Sequence, residues 1–263
     1  MKIQIFKFNT PHPFIQEIRE IMSDKRDDTL THFVPPFGCP EIIFYIGNEK
    51  QIKNTTCKNG FLKGQYNTAQ KIDFNPDYHF LSISLHPYGL KQLFNFKATE
   101  LLNAVIDIEE HPITISLLDL FQNRKNIDIS LVEQLTQKVS QLPAYSISKS
   151  TKEFIKAVEQ TEEHTVQNII KDKGIGLRTL QRNFKNDVGF TPKEFLRIVR
   201  MNKIEQRLTK NTNIFQIIAD FDFTDQSHLV KEFKQWRNFT PKELLKKKLL
   251  LSDQLPISGY FHL

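Results

Sequence analysis

"LRTLQRNFKNDVGFTPKEFL" runs from Leu177 to Leu196, and "DQSHLVKEFKQWRNFTPKELL" from Asp225 to Leu245. The two stretches share one grammar at an offset of 49 positions: Leu180 falls on Leu229, Phe184 on Phe233, Lys185 on Lys234, Thr191 on Thr240 and Pro192 on Pro241. A Leu and a Phe four residues apart lie on one helical face. Gly189 and Asn238 then end the helix, because both residue types tolerate the left-handed conformation just past a helix C-terminus. Thr-Pro opens the next helix, with Thr as N-cap and Pro at the first helical position. Each copy therefore reads helix, stop, helix, and a recurrence at fixed offset marks a duplicated module.

The text around the repeat is helical from Thr151 onward. "STKEFIKAVEQ" starts on a Ser/Thr cap, and "TVQNIIKDKG" puts Val166, Ile169 and Ile170 on one face before stopping at Gly174. "TPKEFLRIVRMNKIEQRLTKN" is long enough to connect two modules, and "NIFQIIADFDF" restarts the pattern. The reading is two helix-turn-helix units on a long connecting helix, seven helices in all. The first half differs. "IQIFKF" alternates, and "EIIFYIG" and "HFLSISLH" are short, aromatic and β-branched, bounded by turn residues as in "PPFGCP" and "NPDY". "KQLFNF", "ATELLNAV" and "SLVEQLTQKV" take helical spacing, and "QLPAYSISKS" reads as a linker. The expected fold class is α+β: a mostly-β N-terminal domain, small-barrel or jelly-roll-like, over residues 1–145 with helices following its strands, an all-α domain over 151–250, and a tail, 251–263.

Charge follows the same division. Residues 1–150 carry 16 Lys+Arg against 16 Asp+Glu, whereas residues 151–263 carry 20 against 14, so the formal charge of +6 sits in the repeat-bearing half. A basic surface there is the footprint of polyanion binding. No apolar run approaches the ~20 residues of a spanning helix, and the alternating N-terminus does not resemble a signal peptide. Cys39 and Cys57 are expected as free thiols in a reducing cytoplasm.

In a helix-turn-helix the second helix enters the major groove, its inner face on the domain and its outer face on bases. Leu180 and Phe184 take the inner face of the first such helix, leaving Arg178, Gln181 and Arg182 outside. Leu229 and Phe233 take that of the second, leaving Gln226, Ser227, Val230 and Lys231 outside, with His228 beside them. Arg pairs bidentately with guanine and Gln with adenine.

These stretches resemble the duplicated DNA-binding domain of AraC/XylS-type transcriptional regulators, over roughly residues 151–248. The resemblance implies a pair of units on one chain reading two successive major-groove segments of double-stranded DNA through the outward residues just named. RNA polymerase is a further candidate partner. The chain departs from the family at Gly176, where Ser usually caps, at Ile170 and Ile218, where a small residue is usual, and at Asp222, where Gly makes the turn. "FVPPFGCPEIIFYIG", "FLKGQ" and "SISLHPYGLKQLF…ATELLN" resemble the uncharacterised N-terminal domain on one branch of these regulators. That implies effector sensing or homodimerisation.

Enzymatic signatures are missing from the text: no G-x-S-x-G, Walker loop or G-x-G-x-x-G occurs. His32, His79 and His86 lack the His-x-His spacing of a cupin metal site, and a reactive Cys39, near Glu41, would need its pKa lowered by a basic neighbour, which the tertiary fold decides. No cofactor, metal or catalytic residue is expected, nor a membrane role for the basic "KELLKKKLLL". The alternative is a small-molecule enzyme or metal-dependent cupin fused to a DNA-binding module.

Overall fold

A computed structural model describes residues 2–7, 11–23, 30–47, 57–121, 124–161, 165–171, 173–210 and 213–247. The tail 251–263 lies outside them. The α+β division expected from the sequence is what the chain adopts. Its first part holds eight strands among the described residues: β1 (Lys2–Phe6), β2 (Ile15–Met22), β3 (Leu30–Val34), β4 (Glu41–Tyr45), β5 (Gly60–Lys63), β6 (Gln70–Phe74), β7 (His79–Leu85) and β8 (Val105–Asp107). Six form an antiparallel sheet in the order β1-β2-β7-β4-β5-β8, and β3 pairs with β6 in a separate ribbon. Helices α1 (Gly89–Phe94), α2 (Pro112–Leu118) and α3 (Ile129–Ser140) follow the strands.

Strand alternation sends successive side chains to opposite faces, so the sheet has two covers. Ile18, Ile42, Phe44, Leu62, Leu81, Ile83 and Leu85 face α1, α2 and α3 and build one core with Leu93, Leu117, Leu131 and Leu135. The opposite face is divided. Ile21, Ile43, Phe61 and Phe80 meet Phe74 of the β3–β6 ribbon. The rest of that face is charged yet buried: Arg19, Glu41, Lys63, Ser82 and Ser84. The Glu41 carboxylate accepts from Arg19 at 3.0 Å, Lys63 at 2.6 Å and Ser82 at 3.0 Å, and the Arg19 Nε lies 2.8 Å from Glu17. Phe37 covers this network, its ring 5.6 Å from the Arg19 guanidinium and 5.9 Å from the Lys63 ammonium.

"IQEIREIM" contains Ile at three-residue spacing but is strand β2, because β1 and β7 pair with both its edges. One sequence expectation shifts here. "ATELLNAV" makes only a 3-10 turn over Ala98–Leu101 before the chain turns at Asn103 (φ 59°) into β8. β5 offers a free edge at that point, and three residues of β8 fill it.

After an extended stretch at 142–148 come the seven helices read from the sequence, among the described residues: α4 (Lys149–Glu159), α5 (Val166–Ile170), α6 (Leu177–Val188), α7 (Pro192–Thr209), α8 (Ile214–Asp220), α9 (Gln226–Arg237) and α10 (Pro241–Lys247). The repeat is visible atom by atom. Thr191 and Glu194 form a reciprocal capping box at 2.7 and 3.2 Å, and Thr240 and Glu243 form its copy at 2.7 and 3.2 Å. Gly189 (φ 90°) and Asn238 (φ 67°) close α6 and α9 in the left-handed conformation.

The two halves interlock. Phe37 and Cys39 are buried in one core with Phe154, Leu180, Phe184, Phe195 and Val199. Phe33 packs against a second core made by Met201, Ile204, Leu229, Phe233 and Trp236. Asn202 donates to the Pro36 carbonyl at 3.3 Å, Arg237 donates to the Phe33 carbonyl, and the Ala69 N–H donates to the Trp236 carbonyl at 3.2 Å.

Two measurements probe these features. A Cβ on Gly189 would sit 2.9 Å from the Ala98 carbonyl oxygen as well as in a left-handed backbone. Gly189→Ala should therefore lower stability by at least about 1–2 kcal/mol in a thermal melt. Burial would raise the Glu41 carboxyl, but Lys63 and Arg19 outweigh it and hold it at about 2, against an ordinary 4.5. A depressed folded pKa contributes stability above pH 4.5 that is lost as pH falls towards 2. Glu41→Gln should flatten that acid limb in pH-dependent melts and lower neutral-pH stability by about 3–5 kcal/mol, since Arg19 and Lys63 lose their counter-charge.

Candidate nucleic-acid interface

Each unit places its second helix with the apolar residues inward. In α6, Leu180 and Phe184 have no exposed surface, and Phe184 meets Phe154 and Phe195 edge-on at 5.4 and 5.3 Å. In α9, Leu229 and Phe233 are equally buried, and Phe233 meets Trp236 at 5.5 Å. The opposite faces are open. Arg178, Gln181 and Arg182 are exposed on α6; Gln226, Ser227, His228 and Lys231 are exposed on α9, with Val230 half-buried. The periodicity that buries Leu and Phe leaves these groups outward.

Capping differs between the copies. Asp225 accepts from the His228 N–H at 2.8 Å and fixes the start of α9. Gly176 has no side chain to offer, and α6 starts without a side-chain cap. Ile170 is buried in the first core and Ile218 is half-buried at the edge of the second. Asp222 takes the left-handed conformation, φ 52°, at the turn between α8 and α9. The turn is therefore made without Gly, by a residue type that visits this region at some cost.

Helix α7 spans both units, and at 1.5 Å per residue its 18 residues give about 27 Å. Phe195, Leu196, Ile198 and Val199 belong to the first core; Met201, Ile204 and Leu208 belong to the second. A cleft of about 870 Å³ opens between the units, lined among others by Gln181 of α6, Lys193, Arg197 and Arg200 of α7, and His228 and Glu232 of α9. Across it, Arg197 Nε donates to Glu232 Oε1 at 2.9 Å and Arg200 Nη2 to Glu232 Oε2 at 2.9 Å. Arg197 also donates to Gln235 at 2.9 Å, and the Arg200 guanidinium stacks 4.4 Å from the Phe223 ring. His228 lies edge-on to Phe223 at 5.1 Å, its Nε2 3.8 Å from Glu232. Sequence reasoning did not find this cluster. Its partners are 32 and 35 residues apart, and the sole trace in the text is Arg at i and i+3 on a long helix.

The first half gathers its chemistry-bearing residues differently. His12 Nδ1 accepts from the N–H groups of Phe14 and Ile15 at 3.1 and 3.0 Å, so Nε2 carries the proton and faces Ser140 Oγ at 2.8 Å as donor. Burial and the neighbouring His86 hold the His12 pKa down, with the Thr136 carbonyl opposing. An imidazole in that tautomer cannot take the Ser140 proton. His86 faces the His12 carbonyl at 3.0 Å and His79 pairs with Glu20 at 2.8 Å; the His32 side chain lies outside the described set. Cys39 and Cys57 are buried free thiols, and burial together with Glu41 raises the Cys39 thiol well above its usual range. Among the described residues no three His, Cys, Asp or Glu side chains converge as a metal-holding group, and no helix is long and apolar enough to cross a membrane.

Two paired helix-turn-helix units whose outward faces are basic and polar define a nucleic-acid-binding class of domain. Residues 170–247 match a helix-turn-helix domain family of the AraC type, while residues 12–107 match a domain of unknown function, DUF6597. The chain is 29% identical over 99 residues to a probable thc operon regulatory protein of Rhodococcus erythropolis, 34% of this chain and 30% of that protein. It thus spans under a third of that relative's length. Structures of ToxT from Vibrio cholerae are similar over 87% of this chain and 98% of theirs, at 13% identity and a TM-score of 0.44. A ToxT structure with bound unsaturated fatty acid covers 90% of this chain and 97% of its own, at 14% identity and a TM-score of 0.42.

Asp222→Gly should relieve the turn and raise the melting free energy by up to about 1 kcal/mol. Chemical denaturation of the two proteins compares them directly; a loss of stability would mean the Asp222 side chain holds the turn itself.

Proposed function

We propose that the chain is a sequence-specific DNA-binding transcriptional regulator, with residues 151–250 as its DNA-binding domain and 1–145 as a sensor or dimerisation domain. The carrying observation is the pairing of α6 and α9 on one rigid helix with their polar faces outward. Arg178, Gln181 and Arg182 read one major-groove segment; Gln226, Ser227, His228, Val230 and Lys231 read the next. Arg178 and Arg182 suit guanine and the Gln residues adenine. The excess positive charge of residues 151–263 supports phosphate contact alongside base reading. The buried, hydrogen-bonded state of His12, Cys39 and Glu41 favours a regulatory over a catalytic role for that half. A cytoplasmic protein working on RNA polymerase, responding to a small-molecule effector and self-associating through residues 1–145 accords with this reading.

The test begins with full-length protein and a random duplex pool. Enriched duplex should be released by salt, with a slope near −0.9 in log K against log[salt] for each phosphate contact. Arg182→Ala should cost about 1–3 kcal/mol on the enriched duplex and much less on a scrambled one. Equal losses on both would reduce Arg182 to a phosphate contact, and a pool without enrichment would remove the DNA-binding reading.

A further inference from the structure

The cations at the centre of the cleft are already engaged. Arg197 lies on the segment of α7 that builds the first core, between Leu196 and Ile198. Its partner Glu232 lies on α9, the outward helix of the second unit. Both Glu232 oxygens are taken, one by Arg197 and one by Arg200, at 2.9 Å each. The Glu232 side chain is 17% exposed and that of Arg200 18%. Arg197 is more open, at 35%, but it bonds a carboxylate that is itself largely shielded, and such charge-assisted bonds hold geometry better than surface ion pairs do. Arg200 is fixed from a second side by Phe223 in the turn before α9. The segment of α7 that belongs to the first unit is thereby tied to the recognition helix of the second, across an otherwise open cleft.

We infer that Glu232, held by Arg197 and Arg200, is the positioning residue that fixes the angle of α9 relative to α6 and so sets which spacing of two DNA segments the protein accepts. This rests on the DNA-binding reading above. Glu232 touches no base in this role. A bare carboxylate on a groove-reading helix would repel DNA, and the two guanidiniums neutralise it. Beside the non-directional apolar contacts of α9 with α7, the Arg237–Glu205 pair at 3.2 Å ties the last residue of α9 to α7; one polar tie at that end lets the rest of the helix pivot about it. A bidentate, directional clamp at one side removes that freedom. Adding one base pair between the two segments moves the second by about 3.4 Å and turns it by about 35°. A rigid pair of helices rejects such a site, whereas a pivoting pair follows it.

The test uses full-length protein and the duplex enriched from the random pool, with one base pair inserted or deleted between the two protected segments. Wild type should lose about tenfold in affinity at either altered spacing, and Glu232→Gln less than about threefold, whatever its affinity at the original spacing. Loss of a negative charge or of folding stability alone would shift all three spacings together, so an unchanged profile in Glu232→Gln overturns the inference while leaving DNA binding intact. The double variant Arg197→Gln/Arg200→Gln should flatten the profile in the same way, and adding Glu232→Gln to it should change nothing more. If Glu232→Gln does not fold, the double variant decides: a profile as sharp as wild type overturns the inference. A pool without enrichment by wild type would sink the DNA-binding reading, and this inference with it.

Discussion

Everything in the second half of the chain hangs on α7. Its first turns complete one core through Phe195 and Val199, and its last turns complete another through Met201, Ile204 and Leu208. A helix is stiff because each turn is hydrogen-bonded to the next. Two cores sharing one helix therefore keep a common axis, and what is left to fix is the angle of each outer helix on it. The polar residues buried along α7 extend this role: Asn202 binds the Pro36 carbonyl, Lys203 the Thr161 carbonyl at 3.2 Å, and Glu205 pairs with Arg237 at 3.2 Å. Burial raises the Glu205 carboxyl, an effect the Arg237 guanidinium opposes.

The same helix joins the two halves of the chain. The segment 33–39 crosses α7 at its middle, giving Phe37 and Cys39 to one core and Phe33 to the other. A Cβ at Gly38 would approach the Phe195 ring to 3.2 Å, which shows how closely this loop is seated. Beneath Phe37 lies the buried network around Glu41, so charges on the sheet, the loop and the first helical core form one continuous stack. The first half is therefore packed directly against both helical cores.

Several residues that look chemical in the sequence are structural here. His12 is oriented by two backbone N–H groups, and Cys39 donates to Gln16 at 2.8 Å from a fully buried position. Their neighbours leave neither a lowered thiol pKa nor a free imidazole lone pair, the properties on which nucleophilic chemistry depends.

The duplicated helical half was legible in the sequence because every signal it uses is local. Leu and Phe at four-residue spacing, Thr-Pro-x-Glu at a helix start, and Gly or Asn at its end act within one or two turns, and each recurs 49 residues later. The outward residues followed from the same periodicity. The strand content of the first half was legible only where alternation is strong, as in β1, or where a short aromatic and β-branched run is bounded by turn residues, as in β4 and β7. β2 and β8 take their form from the edges they pair with, and no local pattern announces them. The clamp of Glu232 on Arg197 and Arg200, the buried Arg19–Glu41–Lys63 network and the passage of Phe33 and Phe37 into two separate cores were decided by tertiary structure alone. In each, side chains far apart in sequence meet in a buried or half-buried place, and the strength of their interaction comes from the exclusion of water that the completed fold provides.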